Sequence, residues 1–382
     1  MRRLRESGRA RVGHYHVAMA VRLSEDQVRI LRMASNGLGR RAAGGDVPAR
    51  VVEAVNGCVG VQAQDLAASQ LAIRARAEAV TKRDVVAACT LAHVVRSWFM
   101  RGTLHMVSAD SAGWLTALLG PLTIAKYRGR RTSLGLDDQV CAAALAATPK
   151  ILSDGPLGRA GLVAALRACG VNIDPRGQAP AHFVLYAASM GLIRRGPENG
   201  TEPTYVLVGH AAGAGHPDTP AAAAAELARR YFSAFGPATV EDFAAWSGLS
   251  AGAAQTAADG LQGGELAEVE AGWLRMRLAS DLLESLSDHP TGVWRLLPAF
   301  DTYLVGYRDR GLVIDPVLAK RVYAGGGWIH PAVLLDGRVV GTWRMDRQGT
   351  DTSVEVSLFD GGGRPQELAE ETADVKRFLA IR

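Results

Sequence analysis

Apolar and polar positions along this chain recur in a loose cycle of helix, turn, helix and short hairpin. In "LSEDQVRILRMASNGL", Ser24 stands where an N-cap is wanted and Gln27 follows three residues later, a capping-box spacing; Val28, Leu31 and the stem of Arg32 share one face. Pro48 opens a second helix that runs to Asn56, and Gly57 can end it. "LAASQLAIRARA" is helical by its apolar spacing, and Thr81 with Asp84 caps the helix of "TKRDVVAACT". "HVVRSWFMRGTLHMVS" alternates in the manner of two strands, with Arg101-Gly102 as the turn. Helices closed by such a hairpin describe a winged helix.

The cycle returns twice. "SADSAGWLTALLGPLTIAKYRG" reads as helix with a break at Gly120-Pro121, because proline removes a helical donor. "DDQVCAAALAATPKIL", "GRAGLVAAL" and "PAHFVLYAASMGLI" are helices, and a hairpin follows around Pro197-Glu198-Asn199-Gly200. After the linker-like "HAAGAGHPDTP" come the helix "AAAAAELARRYFSAF", two short helices with Gly248 and Ser250 in their turn, and a third wing in "ELAEVEAGWLRMRL". From about residue 281 the pattern turns to strand in "GVWRLLPAFDTYLVGYRDR", "GWIHPAVLLDGRVVGTWRM" and "TSVEVSLFD", with Asp336-Gly337 as a hairpin turn and a closing helix in "PQELAEETADVKRFLAI". The expected fold is mostly α with β hairpins, an α+β chain of tandem winged helix-turn-helix modules. The expected division is a basic, disordered tail at 1–22, winged helices at 23–108, 109–212 and 213–280, and a β-rich region with a terminal helix at 281–382.

Length and composition agree with several modules. The chain has 382 residues, 48% of them hydrophobic and 21% charged, and no apolar run long enough to span a membrane. The Arg-rich first 18 residues lack the apolar core of a secretory signal; they read as a tail, or as sequence ahead of a start at Met19, with a DNA-gripping arm as the alternative. Cys58, Cys89, Cys141 and Cys169 are far apart and read as reduced, mostly buried thiols of a cytoplasmic protein. A net charge of +5 suits a polyanionic partner, although arginine far outnumbers lysine, as a GC-rich genome alone would produce.

The unusual chemistry lies in "VGVQAQD". On an extended backbone Gln62 and Gln64 point to one side, whereas on a helix they diverge by roughly 200 degrees. Two amides aimed together can hold a water molecule without deprotonating it. The alternative is a pair of buried glutamines bonded to backbone between two helices. In the hairpin, Arg96, Arg101 and His105 are polar among Trp98, Phe99 and Met106; Arg101 could sit near phosphate, or the strand pair could simply be a solvated edge. "KYRGRRTSLG" concentrates Lys126, Arg128, Arg130 and Arg131, a phosphate-gripping cluster or a solvated loop. "DTYLVGYRDR" interleaves Tyr303 and Tyr307 with Arg308 and Arg310, which suits stacking on nucleic acid and equally suits a sheet with an end ion-paired to Asp301 and Asp309. No phosphate-binding loop, zinc helix or serine elbow is present, and neither a cofactor nor a metal is expected.

Taken in order, "VGVQAQD", "RGTLHMV", "LLPAFDTYLVGYRDR" and "GRVVGTWR" resemble the AlkZ-like branch of the AlkZ/YcaQ winged-helix DNA glycosylases from about Leu23 to the C-terminus. That resemblance implies winged helices in a C shape around a DNA channel, and excision of bulky N7-alkylguanine lesions, in some members with unhooking of interstrand crosslinks. Gln62-Ala63-Gln64 matches the branch's Gln-x-Gln signature rather than the Gln-x-Asp of the other branch. By resemblance, Gln62 and Gln64 position the attacking water, and a role in self-resistance to a genotoxic natural product is implied. Arg101, His105, Arg128, Arg130, Arg131, Tyr303 and Arg308 are the candidate DNA contacts. The expected partner is duplex DNA with an alkylated guanine, met by a monomer at the nucleoid and not at a membrane. The competing reading is a winged-helix transcriptional regulator or other non-catalytic DNA binder; sequestration of a bound toxin is a third.

Overall fold

The computed structural model describes residues 21–209, 217–261, 264–348, 351–363 and 365–380. Most of the basic N-terminal tail and part of the linker before the third cycle lie outside the described residues. The last two residues assigned to the tail do not belong to it: β1 (Val21–Arg22) runs parallel to a later strand, Val21 opposite Val269 and Arg22 opposite Glu270.

The first cycle forms as its caps predict. α1 (Glu25–Ser35) begins at a complete Ser24/Gln27 capping box, and α2 (Val47–Asn56) has Asp46 as N-cap and Pro48 in its first turn. β2 (Val61–Gln62) leads into α3 (Leu66–Arg74), and α4 (Lys82–Thr90) starts at a Thr81/Asp84 box. β3 (Val94–Trp98) and β4 (Leu104–Ser108) are a hairpin that turns through Arg101 and Gly102, both with positive φ (58° and 73°). β2 joins the outer side of β4, giving the order β2-β4-β3.

α5 (Ala109–Ser133) contradicts the break expected at Gly120-Pro121, because it continues as one helix to Ser133. A proline in a helix interior costs about 3 kcal/mol locally, but Pro121 is on the exposed side of α5 and residues on both sides of it are buried, Trp114, Leu115 and Leu119 before it and Thr123 and Arg131 after it. Gly120 sits where α5 crosses the later helix at residues 179–189; a Cβ there would lie 2.2 Å from Ser189 O. Then come α6 (Asp138–Leu152), β5 (Leu157–Gly158), α7 (Arg159–Ala168), α8 (Ala179–Ser189) and the hairpin β6 (Ile193–Asn199) and β7 (Glu202–Leu207), in sheet order β5-β7-β6.

The third cycle comprises α9 (Pro220–Phe235), α10 (Val240–Ser247), α11 (Ala251–Asp259) and the hairpin β8 (Leu266–Ala271) and β9 (Leu274–Ala279), with β1 on the free side of β8. After α12 (Ser280–Glu284), β10 (Trp294–Leu297) ends at Pro298. The strand expected through "DTYLVGYRDR" is instead a short helix, α13 (Thr302–Val305), because Asp301 accepts from Tyr303 N and caps it. β11 (Tyr323–Gly325) and β12 (Trp328–Ile329) pair with each other. β13 (Ala332–Leu335), β14 (Arg338–Gln348) and β15 (Asp351–Leu358) complete the sheet β10-β13-β14-β15, turning through Asp336 and Gly337 at φ 47° and 80°. α14 (Gln366–Leu379) closes the described chain.

The fold is therefore mixed α+β with a β-rich C-terminal region. The largest apolar core crosses the expected boundaries between the three cycles and the C-terminal region: it unites Phe99, Trp114, Tyr231, Trp246, Tyr303 and Leu334. A second core packs α2, α3 and α4 against α14 and the C-terminal sheet through Val51, Leu71, Leu296, Trp343 and Phe378. Val59 belongs to the first core, and Val61 and Ala63 belong to the second. Cys58 and Cys141 are buried, Cys89 is half-buried and Cys169 is exposed, all as free thiols; burial pushes Cys89 up to about 11.

Candidate active site

The glutamine pair is built by a very short extended stretch. β2 pairs antiparallel with β4, Val61 opposite Met106 and Gln62 opposite His105, and Ala63 N donates to Leu104 O at 2.7 Å. The stretch ends at Asp65, whose carboxylate accepts from Ala68 N and starts α3. Between these anchors Ala63 is fully buried while Gln62 and Gln64 turn to the other side. Their side chains touch: Gln62 Nε2 donates to Gln64 Oε1 at 2.8 Å. Gln62 is only 8% exposed, and Gln64 is exposed.

Two arginines hold the stretch. Arg96 of β3 donates from Nε and Nη2 to Ala63 O, at 3.1 and 2.9 Å, and from Nη1 to Glu198 Oε1 on the second hairpin at 2.7 Å. It thereby pins the peptide between the two glutamines. Arg101, in the left-handed turn of the first hairpin, donates from Nη2 to Gln62 Oε1 at 3.2 Å and from Nη1 to Trp246 O at 2.5 Å. Trp246 lies in the last turn of α10, where carbonyls lack helical partners and favour a cation. α10 ends at Gly248 with φ 84°, and a Cβ there would stand 3.2 Å from the Arg101 backbone. A side chain would be strained at that φ and would need the hairpin turn to give by a few tenths of an ångström.

His105 shares the sheet face of Gln62, as directly opposed residues do. Its Nδ1 lies 2.9 Å from Thr103 O; a carbonyl only accepts, so Nδ1 carries the proton. Burial first, and the nearby Arg101 cation second, push its pKa down to about 3. The ring is neutral at pH 7 and is neither a useful acid nor a phosphate contact. The expectation that His105 touches DNA is corrected accordingly.

The remaining sequence candidates are dispersed. Arg128 is exposed on α5 beside Asp138 at 3.4 Å, and Arg130 is exposed and bonded to Gln178 Oε1. Arg131 departs from expectation: it is buried, its guanidinium 4.3 Å from the centre of the Tyr186 ring, because its turn of α5 faces α8. Tyr303 also departs, being fully buried with its hydroxyl donating to Gly337 O at 2.9 Å, so it offers no face for stacking. Arg308 is exposed, and its backbone N donates to Asp242 in the first turn of α10, the end opposite Trp246. Arg101, expected as a DNA contact, has both terminal guanidinium nitrogens engaged within the protein.

Arg96, Glu198, Trp246 and Gly248 are the site residues whose roles sequence reading missed. Strand alternation singled out Arg96 as polar, but its partner carbonyl 33 positions away carries no local signal. One residue beyond Gln64, Asp65 lines a cleft of about 750 Å³ between α3 and the C-terminal sheet, with Ala68, Pro298, Arg321, His330 and Trp343 around it. Among the described residues no group of His, Cys, Asp and Glu is arranged to hold a metal ion, and no helix is long and apolar enough to cross a membrane.

Comparison with known proteins gives the family. A family model described as DNA glycosylase AlkZ-like matches residues 55–378. An interstrand DNA cross-link repair glycosylase of Streptomyces sahachiroi is 30% identical over 335 residues, covering 84% of this chain and 89% of that protein. The solved structure of Streptomyces sahachiroi DNA glycosylase AlkZ matches with a TM-score of 0.76 at 27% identity, over 95% of this chain and 100% of that one. The matched region contains Gln62, Gln64, Arg96, Arg101 and Trp246, and the chain belongs to the AlkZ-like DNA glycosylase family.

Proposed function

We propose that this chain is a monofunctional DNA glycosylase that hydrolyses the N-glycosidic bond of N7-alkylguanine in duplex DNA, using a water molecule held by Gln62 and Gln64. The observation that carries this reading is the contact between an exposed amide and a buried one, Gln64 and Gln62, at 2.8 Å. Neither can remove a proton at neutral pH, and the adjacent His105 is too weak a base to do so. The chemistry must therefore be undemanding. Alkylation at N7 places a positive charge on guanine, so departure of the base neutralises it and leaves an oxocarbenium-like sugar. Holding water in line is then the main task, a matter of positioning rather than deprotonation.

The cleft of about 750 Å³ lined by Asp65, the residue after Gln64, is large enough to take a bulky N7 substituent. The cross-link repair named for the Streptomyces sahachiroi relative extends the proposal to crosslinked guanine, and self-resistance to a compound that makes such lesions is proposed with it on the family resemblance. We read residues 23–108, 109–212 and 213–280 as winged-helix modules, and Arg128, Arg130 and Arg308 as the contacts of a monomeric enzyme with phosphate. The test is base release from duplexes carrying N7-methylguanine or a bulky N7 adduct under single-turnover conditions. Gln62→Ala and Gln64→Ala should each slow it by about a hundredfold. Full activity in both folded variants would refute the mechanism.

A further inference from the structure

The direction of each hydrogen bond at the glutamine pair follows from Arg101. A guanidinium has only N–H groups to offer. The Gln62 atom 3.2 Å from Arg101 Nη2 must therefore be the amide oxygen. Gln62 then turns its NH2 toward Gln64, and the Gln64 atom 2.8 Å away must also be oxygen. One chain of donors runs from the hairpin turn to the surface: Arg101 to Gln62, Gln62 to Gln64. Without Arg101 either amide could rotate by half a turn at little cost, and a flipped pair would present NH2 where oxygen now stands.

We infer that Arg101 is a positioning residue that fixes the polarity of the pair, and that the two glutamines consequently have unequal roles. This rests on the glycosylase reading above. Gln62 is a relay whose oxygen is committed to Arg101 and whose NH2 is committed to Gln64. Gln64 Oε1 keeps a second lone pair, and it is the group that accepts a proton of the attacking water in a hydrogen bond. That leaves a water lone pair free to face C1′. As the new O–C1′ bond forms, the C1′–N9 bond breaks and its electron pair leaves with the base, cancelling the positive charge of the alkylated ring. The extra proton on the new hydroxyl passes to bulk water, since an amide does not retain it.

Three features set Arg101 apart from a surface arginine reaching for phosphate. Its left-handed φ of 58° is sparsely populated for a side-chain-bearing residue and is held in place by its surroundings. Gly248 brings the end of α10 against the Arg101 backbone, and Lys126 Nζ donates to Arg101 O at 3.3 Å. Finally, Trp246 O takes the guanidinium's other terminal nitrogen, which orients it toward Gln62.

The experiment compares Arg101→Met, Arg101→Lys, Gln62→Glu and Gln64→Glu in the full chain. It measures single-turnover release of N7-methylguanine at saturating enzyme, and separately the affinity and salt dependence for an intact duplex. Gln64→Glu keeps an acceptor toward both Gln62 and water, so it should stay within about tenfold of wild type. Gln62→Glu sets an acceptor against an acceptor and forces Gln64 to turn its NH2 inward, so release should fall by about a hundredfold. Arg101→Met should match Gln62→Glu with duplex affinity unchanged, and Arg101→Lys should recover part of the rate. Equal losses in the two glutamate variants would overturn the inference, as would an Arg101→Met variant with normal saturated rate and weakened, less salt-dependent binding. Should Arg101→Met not fold, the two glutamate variants decide alone, since both leave Arg101 in place. A wild-type chain that releases neither N7-methylguanine nor a bulky N7 adduct would instead defeat the glycosylase reading itself.

Discussion

Arg76 and Asp301 are 225 positions apart in the chain and meet as a two-pronged pair, Nη1 to Oδ2 at 2.9 Å and Nη2 to Oδ1 at 2.8 Å, with side chains 1% and 0% exposed. Arg76 also donates to Asn36 O and Asn36 Oδ1, at 3.0 and 2.5 Å, and Asp301 caps α13. The pair therefore clamps the chain just after α3, and the end of α1 through Asn36, onto the C-terminal region. Burial opposes the Arg76 charge, yet Asp301 outweighs it and the pKa of Arg76 is raised. Removing one partner strands the other charge in the interior. Asp301→Asn or Arg76→Met should each lower stability by about 3–5 kcal/mol, measured by urea unfolding, while Arg76→Met with Asp301→Leu should recover only part of that loss, since the α13 cap and the Asn36 bonds stay broken.

The buried neutral His105 makes stability depend on pH in a definite direction. Its pKa is about 3 folded, against about 6.5 for an unperturbed imidazole. Between these values the unfolded chain binds a proton that the native state does not, so stability is complete above about pH 6.5 and falls as pH drops. From pH 7 to pH 5 the wild type should lose about 2 kcal/mol from this residue. In His105→Asn that contribution should be missing. Urea midpoints of both proteins across the range provide the check, and parallel curves would contradict it.

Exposed and buried arginines should separate cleanly in DNA binding. Replacing Arg128, Arg130 or Arg308 by alanine should each reduce the slope of log affinity against log salt by about 0.9, if each neutralises one phosphate. Arg131→Ala should leave that slope alone and lower the melting temperature, because its guanidinium packs on Tyr186 inside the fold. Fluorescence anisotropy at several salt concentrations, with a thermal melt of each variant, distinguishes the two classes.

The crossing of α5 and α8 depends on a missing side chain. With Ser189 O placed 2.2 Å from where a Cβ would sit, Gly120→Ala must part the helices or bend α5. A cost of roughly 1–3 kcal/mol is expected, against the gain an alanine normally brings to a helix interior. A thermal melt showing Gly120→Ala as stable as wild type would contradict the close approach.

Much of the local structure is legible from the amino acids alone. The Ser24/Gln27 and Thr81/Asp84 boxes, the Asp336-Gly337 turn and the reversal at Arg101-Gly102 all form where spacing places them, since each depends on backbone geometry within about four residues. The shared direction of Gln62 and Gln64 is of the same kind, a consequence of the two-residue period of extended chain. Tertiary structure alone decides where charged and aromatic side chains end. Arg101 has the composition of a DNA contact but finds Trp246 O 145 positions away; Arg131 and Tyr303 look like surface groups and are buried. The proline in α5 reads as a break and is carried through by packing on both its sides. Desolvation and distant partners govern these outcomes, and they act only once the segments have been brought together.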